Sequence, residues 1–163
     1  MFYEEFFRSL TFIINNHINF YKMSHKVSTT WKENMHFEST NPGGVLDIDA
    51  GIENGGEGKG YRPKALMLSA LAGCSGLDVA SLIKKMRLDV VDFKIETEGF
   101  LTDEDPAIYH SVQVDYHFYG GNLDEDKLTK AVNLSIEKYC GVMKMFEAFA
   151  KVQTAIHFHK EGY

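Results

Sequence analysis

Apolar and polar residues alternate in two long stretches past the middle of the chain. In residues 91–99, Val91, Phe93, Ile95 and Thr97 fall on one side, and Asp92, Lys94, Glu96 and Glu98 on the other. In residues 108–119, Val112, Val114, Tyr116 and Phe118 share one face. A period of two with one covered face predicts an antiparallel hairpin, joined by the loop at residues 102–106. Residues 65–83 have a different pattern. Almost every position is apolar or small, and only Ser69, Ser75, Asp78 and Ser81 interrupt the run. Pro63 suits the first turn of a helix, and Lys84, Lys85 and Arg87 suit its last turn. This predicts a central helix buried on most sides. Asp78 and the serines argue against its spanning a membrane.

Shorter segments complete the order. Residues 27–31, 35–39 and 45–49 read as strands, with a turn at residues 41–44. Residues 51–60 are glycine-rich but lack the Gly-Lys-Ser/Thr ending of a phosphate-binding loop, so they read as a flexible connector. Residues 124–138 place Leu128, Ala131, Val132, Ser135 and Ile136 at helical spacing. Cys140-Gly141 interrupts that helix, a shorter one follows over 142–150, and residues 152–159 alternate as a last strand. The order is β-β-β-α-β-β-α-α-β. Helices are too few to cross between all the strands, so the class is α+β.

The N-terminus does not continue this pattern. The apolar run 10–14 is too short to span a bilayer. Glu4 and Glu5 precede it and no small-residue cleavage site follows, unlike a secretory signal. Met23 looks like a second, more ordinary start. Residues 1–22 are therefore expected to be an extension, either a mis-assigned start or an added helix, and residues 23–163 the domain proper.

Composition adds limits rather than detail. The 163 residues carry a formal net charge of −6, with 44% hydrophobic and 25% charged residues. That fits one globular domain with a core of its own. No basic stripe is present, which argues against a nucleic-acid partner. Two widely spaced cysteines in an acidic chain do not make a secreted disulfide scaffold, and point to a reducing, cytoplasmic setting.

Cys74 and Cys140 are the candidate redox pair. Cys74 lies in the middle of the most apolar helix, where an inert buried thiol is the plain alternative. A thiolate there would need a cation to offset Asp78, one turn away. Cys140 precedes a new helix, and a sulfur near a helix N-terminus is expected to have a lowered pKa. His157 and His159 share a strand face, but that spacing alone does not make a zinc site, and no metal is expected. His25, His36, His110 and His117 show no usable spacing.

The segment from Arg62 through Cys74 to Val79 (RPKALMLSALAGCSGLDV) resembles the cysteine helix of the osmotically inducible protein C / organic hydroperoxide resistance (OsmC/Ohr) family. Residues 137–142 (EKYCGV) resemble that family's second cysteine motif, where Pro commonly stands at the position of Gly141. The resemblance covers about residues 25–160, and residues 83–87 look closest to the OsmC-like branch.

The resemblance implies antiparallel sheets wrapped around a central cysteine helix, in an intertwined homodimer. It implies a thiol peroxidase acting on organic hydroperoxides in oxidative stress defence. Cys74 would be the peroxidatic thiolate and Cys140 the resolving thiol. No cofactor is expected beyond an external dithiol reductant. Two departures stand out. Catalytic members place Glu where this chain has Lys64, and they hold the thiolate with an Arg from the N-terminal strand region. Here the arginines are Arg8, Arg62 and Arg87. Arg62 and Lys64 are the candidates for replacement positive charge, although both begin the Cys74 helix, roughly 15–18 Å away along its axis. The missing Arg–Glu pair supports the alternative of a non-catalytic dimer that binds a small apolar ligand or senses redox state.

Overall fold

The structure is a computed structural model that describes residues 24–160. The expectation for residues 1–22 lies outside the described residues. The chain divides between Arg62 and Pro63 into two compact units.

The first unit holds a three-stranded antiparallel sheet of β1 (Ser28–Glu33), β2 (His36–Asn41) and β3 (Gly44–Ile48), in that order. Its side chains remain largely in solvent: Val27, Trp31 and Val45 are all more than half exposed. Among its described residues, Ser39, Asp49 and Gly51 are buried, two of them polar.

Asp49 organises the glycine-rich stretch, which is not the free connector expected from composition. Its carboxylate accepts the backbone N–H groups of Ala50, Glu57 and Lys59 at 2.8–3.0 Å. Gly56 permits this wrapping, because a Cβ there would lie 2.1 Å from the Ala50 carbonyl oxygen. The Lys59 amide most strongly, then those of Glu57 and Ala50, hold the Asp49 carboxyl below its ordinary value, against the opposing effect of burial. Arg62 closes the loop by donating to the carbonyls of Asp49 and Gly60, at 3.1 and 2.7 Å.

The second unit contains α1 (Pro63–Met86), β4 (Asp92–Leu101), β5 (Tyr109–Tyr119), α2 (Glu125–Leu134), α3 (Gly141–Glu147) and β6 (Lys151–His159). The class is α+β, as expected. The β4–β5 hairpin is antiparallel and β5 lies in the middle of the sheet. β6 runs parallel to β5, so this sheet is mixed. A strand that returns after a helical connection is free to pair parallel.

Val112, Val114, Tyr116 and Phe118 point from β5 into the core, where Phe118 stacks on Phe93 at 4.7 Å between centroids. The helices cover this face. α2 starts at Asp124, whose side chain accepts the Lys127 N–H at 3.1 Å. It buries Leu128, Ala131 and Val132.

α1 buries one stripe of Leu71, Ser75, Val79 and Leu82, rather than most of its surface. Ala70, Gly73, Leu77 and Ala80 remain exposed within the single chain. By length and composition α1 could cross a membrane, with a mean hydropathy of 1.7 over its most apolar window. Instead, its polar residues Ser75 and Asp78 are hydrogen-bonded to groups of the same unit. The chain leaves α1 through Arg87 in the left-handed conformation, and the Leu88 N–H returns to the Ile83 carbonyl at 3.0 Å. That is a common way to satisfy the last carbonyls of a helix.

Candidate functional site

Cys74 and Asp78 lie one turn apart on α1, so their side chains leave the same face of the helix. Both are half-buried, at the margin between the packed stripe and the exposed side. Facing them is a break between helices. After Leu134 the chain makes one π-turn, Ser135–Tyr139, closed by the Cys140 N–H to the Ser135 carbonyl at 2.8 Å. Cys140 then turns to extended backbone and caps α3. Single π-turns inside helices are frequent at functional sites. This one brings both Ser135 and Cys140 to the wall opposite α1.

One ligand atom each from Cys74, Asp78 and Cys140 lies within 4.8 Å of the others. The two cysteines are free thiols. A hydroxyl network lies behind them. Ser75 Oγ shares hydrogen bonds with the Tyr116 hydroxyl at 2.7 Å and with Ser135 Oγ at 2.9 Å. Ser135 Oγ also lies 3.2 Å from Asp78 Oδ2. Burial pushes the Tyr116 hydroxyl above its ordinary value, so it stays protonated and available to donate.

Cys140 departs from expectation in its ionisation. Its sulfur does accept a backbone N–H of α3, from Met143 at 3.3 Å. That bond favours the thiolate, but burial and the neighbouring Cys74 thiol oppose it more strongly. The residue is 1% exposed, and its pKa is pushed up to about 11. The expected helix-terminus depression is therefore outweighed, because removing a charge from water costs more than one N–H···S bond returns.

Arg62 belongs to the first unit, with its guanidinium committed to the Asp49 loop. Lys64 is exposed in the first turn of α1, beside an apolar recess of about 280 Å³ lined by Met67, Ala107, Ile108, Tyr109 and Phe149. Ten residues of helix separate Lys64 from Cys74, about 15 Å of rise.

The structure adds residues that sequence spacing did not expose. Ser75, Ser135 and Tyr116 come from three distant stretches and carry no motif. Leaving Asp78 aside, the one available signal was a serine on an otherwise apolar stripe. His117 also joins His157 and His159. Its Nδ1 is 3.1 Å from His159 Nε2, and its ring stacks on His157 at 4.5 Å. Glu96 and Asp115 flank them, 3.2 Å from His117 and His157 respectively. This cluster lies on the sheet face opposite Tyr116, so no thiol completes it. Burial, then the nearby His157, pulls His117 below the ordinary histidine value.

An α+β unit with two free thiols brought together beneath a long apolar helix defines a two-cysteine protein. Residues 56–155 match the family model described as OsmC-like protein. Over 117 residues the chain is 32% identical to Protein YhfA of Escherichia coli K12, covering 72% of this chain and 85% of that one. A hypothetical protein from Aquifex aeolicus has a solved structure similar at a TM-score of 0.71 and 29% identity, covering 83% and 98% of the two chains. The organic hydroperoxide resistance protein OhrB of Bacillus subtilis shares the fold at a TM-score of 0.60 and 21% identity, covering 82% and 98%. The chain belongs to the OsmC-like family.

Proposed function

We propose that the protein is a thiol peroxidase that reduces organic hydroperoxides through Cys74 and Cys140. The observation that carries the reading is the pair of free thiols within 4.8 Å, one half-exposed and one buried. The fold shared with a protein named for organic hydroperoxide resistance supports the choice of oxidant.

The roles follow from access. The Cys74 thiolate attacks the distal oxygen of the hydroperoxide. The O–O bond breaks, the alkoxide leaves and takes a proton from solvent to become the alcohol, and Cys74 becomes a sulfenic acid. Cys140 sulfur then attacks the Cys74 sulfur. Water leaves, taking the sulfenic oxygen and the Cys140 thiol proton, and a disulfide forms. An external dithiol restores both thiols by exchange. A buried thiol with a pKa of about 11 is poorly suited to strike first and better suited to wait protonated as the resolving group. The Asp78 carboxylate is near enough to relay that proton from the Cys140 thiol to the departing water.

The exposed stripe of Ala70, Gly73, Leu77 and Ala80 supports a homodimer in which this side of α1 meets a second copy. The poorly covered β1–β3 sheet supports the same arrangement. A cytoplasmic, reducing setting suits the cycle, because it keeps the thiols available.

Cumene hydroperoxide supplied with a dithiol tests the reading. Consumption of peroxide with stoichiometric oxidation of the dithiol is expected. No consumption, with Cys74 still free, would overturn it. A second reading, a non-catalytic dimer holding a small apolar ligand, is favoured by the apolar recess beside Lys64. It predicts ligand binding that survives loss of both thiols.

A further inference from the structure

We propose that Cys74, Asp78 and Cys140 form a three-ligand site for a thiophilic divalent cation of the zinc class. From the sequence no metal is expected, because the spacing of His157 and His159 alone does not make a zinc site. Folding adds a carboxylate to the thiol pair, and the three donors converge within 4.8 Å. Ligand atoms around a tetrahedral zinc lie about 3.5–3.8 Å apart, given metal–ligand bonds of roughly 2.0–2.3 Å. Closing on the ion therefore needs at most about 1.0–1.3 Å of approach between any two donors.

The donors are also held from behind. Ser135 Oγ hydrogen-bonds to Asp78 Oδ2, Ser75 Oγ holds Ser135 Oγ, and the Tyr116 hydroxyl holds Ser75. The Met143 N–H donates to Cys140 Sγ. Such outer hydrogen bonds orient metal ligands and govern affinity. Among the described residues, Asp78 forms no ion pair, and its one hydrogen-bond partner is the Ser135 hydroxyl. Among the described residues, this half-buried carboxylate beside two thiols thus lacks a positive counterpart, and a cation would supply it. Cys74 and Asp78 are partly exposed, which leaves an entry route and room for water as a fourth ligand. Two sulfurs and one oxygen select soft or borderline ions over calcium and magnesium.

Binding is not a redox step. Each sulfur forms a bond to the ion as its thiol proton passes to solvent, and no electrons move. The bound ion and the disulfide exclude one another, since both engage the same two sulfurs. Metal occupancy would therefore hold the pair out of the redox cycle. The site uses the thiol pair of the proposed peroxidase but requires no turnover, so the two ideas can fail separately.

The test titrates the reduced, full-length protein with Cd²⁺ and with Zn²⁺ in thiol-free buffer. One Cd²⁺ per chain is expected, with an ultraviolet thiolate-to-metal charge-transfer band that Zn²⁺ removes by competition. Zn²⁺ should also block disulfide closure by diamide, an oxidant that needs no peroxidase activity. Asp78→Asn should weaken binding about tenfold or more while keeping the band. Cys74→Ser and Cys140→Ser should each remove at least half of the band. His157→Gln should change nothing. Absence of a saturable band in the wild-type protein would overturn the site. So would binding that survives loss of both cysteines, or an Asp78→Asn variant that folds by circular dichroism and binds as the wild type does. Cadmium binding without hydroperoxide turnover would support the site and count against the peroxidase reading alone.

Discussion

The two cysteines share a site but not an environment. Cys74 lies mid-helix on α1, half-buried, beside residues that face outward. Cys140 lies at a helix break, 1% exposed, with its sulfur held by the Met143 N–H. One wall of the site is a regular helix open to approach. The other is an irregular turn closed to it. In the proposed cycle the difference orders the events: the accessible sulfur meets the oxidant, and the buried one answers it. It also shows that a helix N-terminus does not by itself activate a thiol, because burial outweighs the N–H bond at Cys140.

The largest expected effect comes from exchanging the two roles. Cys74→Ser should lower hydroperoxide consumption about a thousandfold or more. Cys140→Ser should keep one turnover per chain in a single-turnover assay, then stall as a sulfenic acid. Equal loss of the first turnover in both variants would break the distinction.

The next effect is chemical access. With a pKa of about 11, against 9.0 for an unperturbed thiol, native Cys140 should alkylate about a hundredfold more slowly near neutral pH than in the unfolded chain. Iodoacetamide labelling read by peptide mass spectrometry measures this. The same shift has a consequence for stability. The folded state keeps the Cys140 proton longer than the unfolded state does. Its contribution is fully present below pH 9 and is lost as pH rises from 9 toward about 11. Alkaline melting curves should therefore flatten in Cys140→Ser.

A smaller effect is expected from the shared hydroxyl network. Tyr116→Phe leaves Ser75 bonded to Ser135 but removes one buried hydrogen bond, at a cost of about 1–2 kcal/mol in denaturant unfolding. It should leave the asymmetry between the cysteines in place. The smallest effect on the site should come from Asp49→Asn, in the other unit. It should speed hydrogen exchange at the Glu57 and Lys59 amides, which the carboxylate accepts. Because the carboxyl is held below its ordinary value of 3.8, its stabilisation is present above that pH and declines as pH falls through the folded value.

Much of this architecture was legible in the chain. Alternation at residues 91–99 and 108–119 located β4 and β5, because one covered face imposes a period of two. The apolar run around Cys74 located α1. Orientation was not legible: alternation in β6 has the same period whether it pairs parallel or antiparallel. The ordered Asp49 loop was hidden because its hydrogen bonds use backbone amides, which every residue has. The π-turn was hidden because residues 124–138 keep helical spacing through it, although Cys140-Gly141 did mark the break that follows. His117 escaped notice because its neighbours His157 and His159 are about forty positions away and meet it only through β5–β6 pairing. At the site, the sequence singled out both cysteines and Asp78, but their burial depends on tertiary packing, and with it the pKa of Cys140.

The most direct test is the mass of the reduced full-length protein after one equivalent of cumene hydroperoxide. The proposed mechanism predicts loss of two hydrogens per chain and a single cross-linked peptide pair joining Cys74 to Cys140, reversed by a dithiol. Two thiols still free after exposure, or oxidation that stops at Cys140 while Cys74 remains reduced, would contradict it.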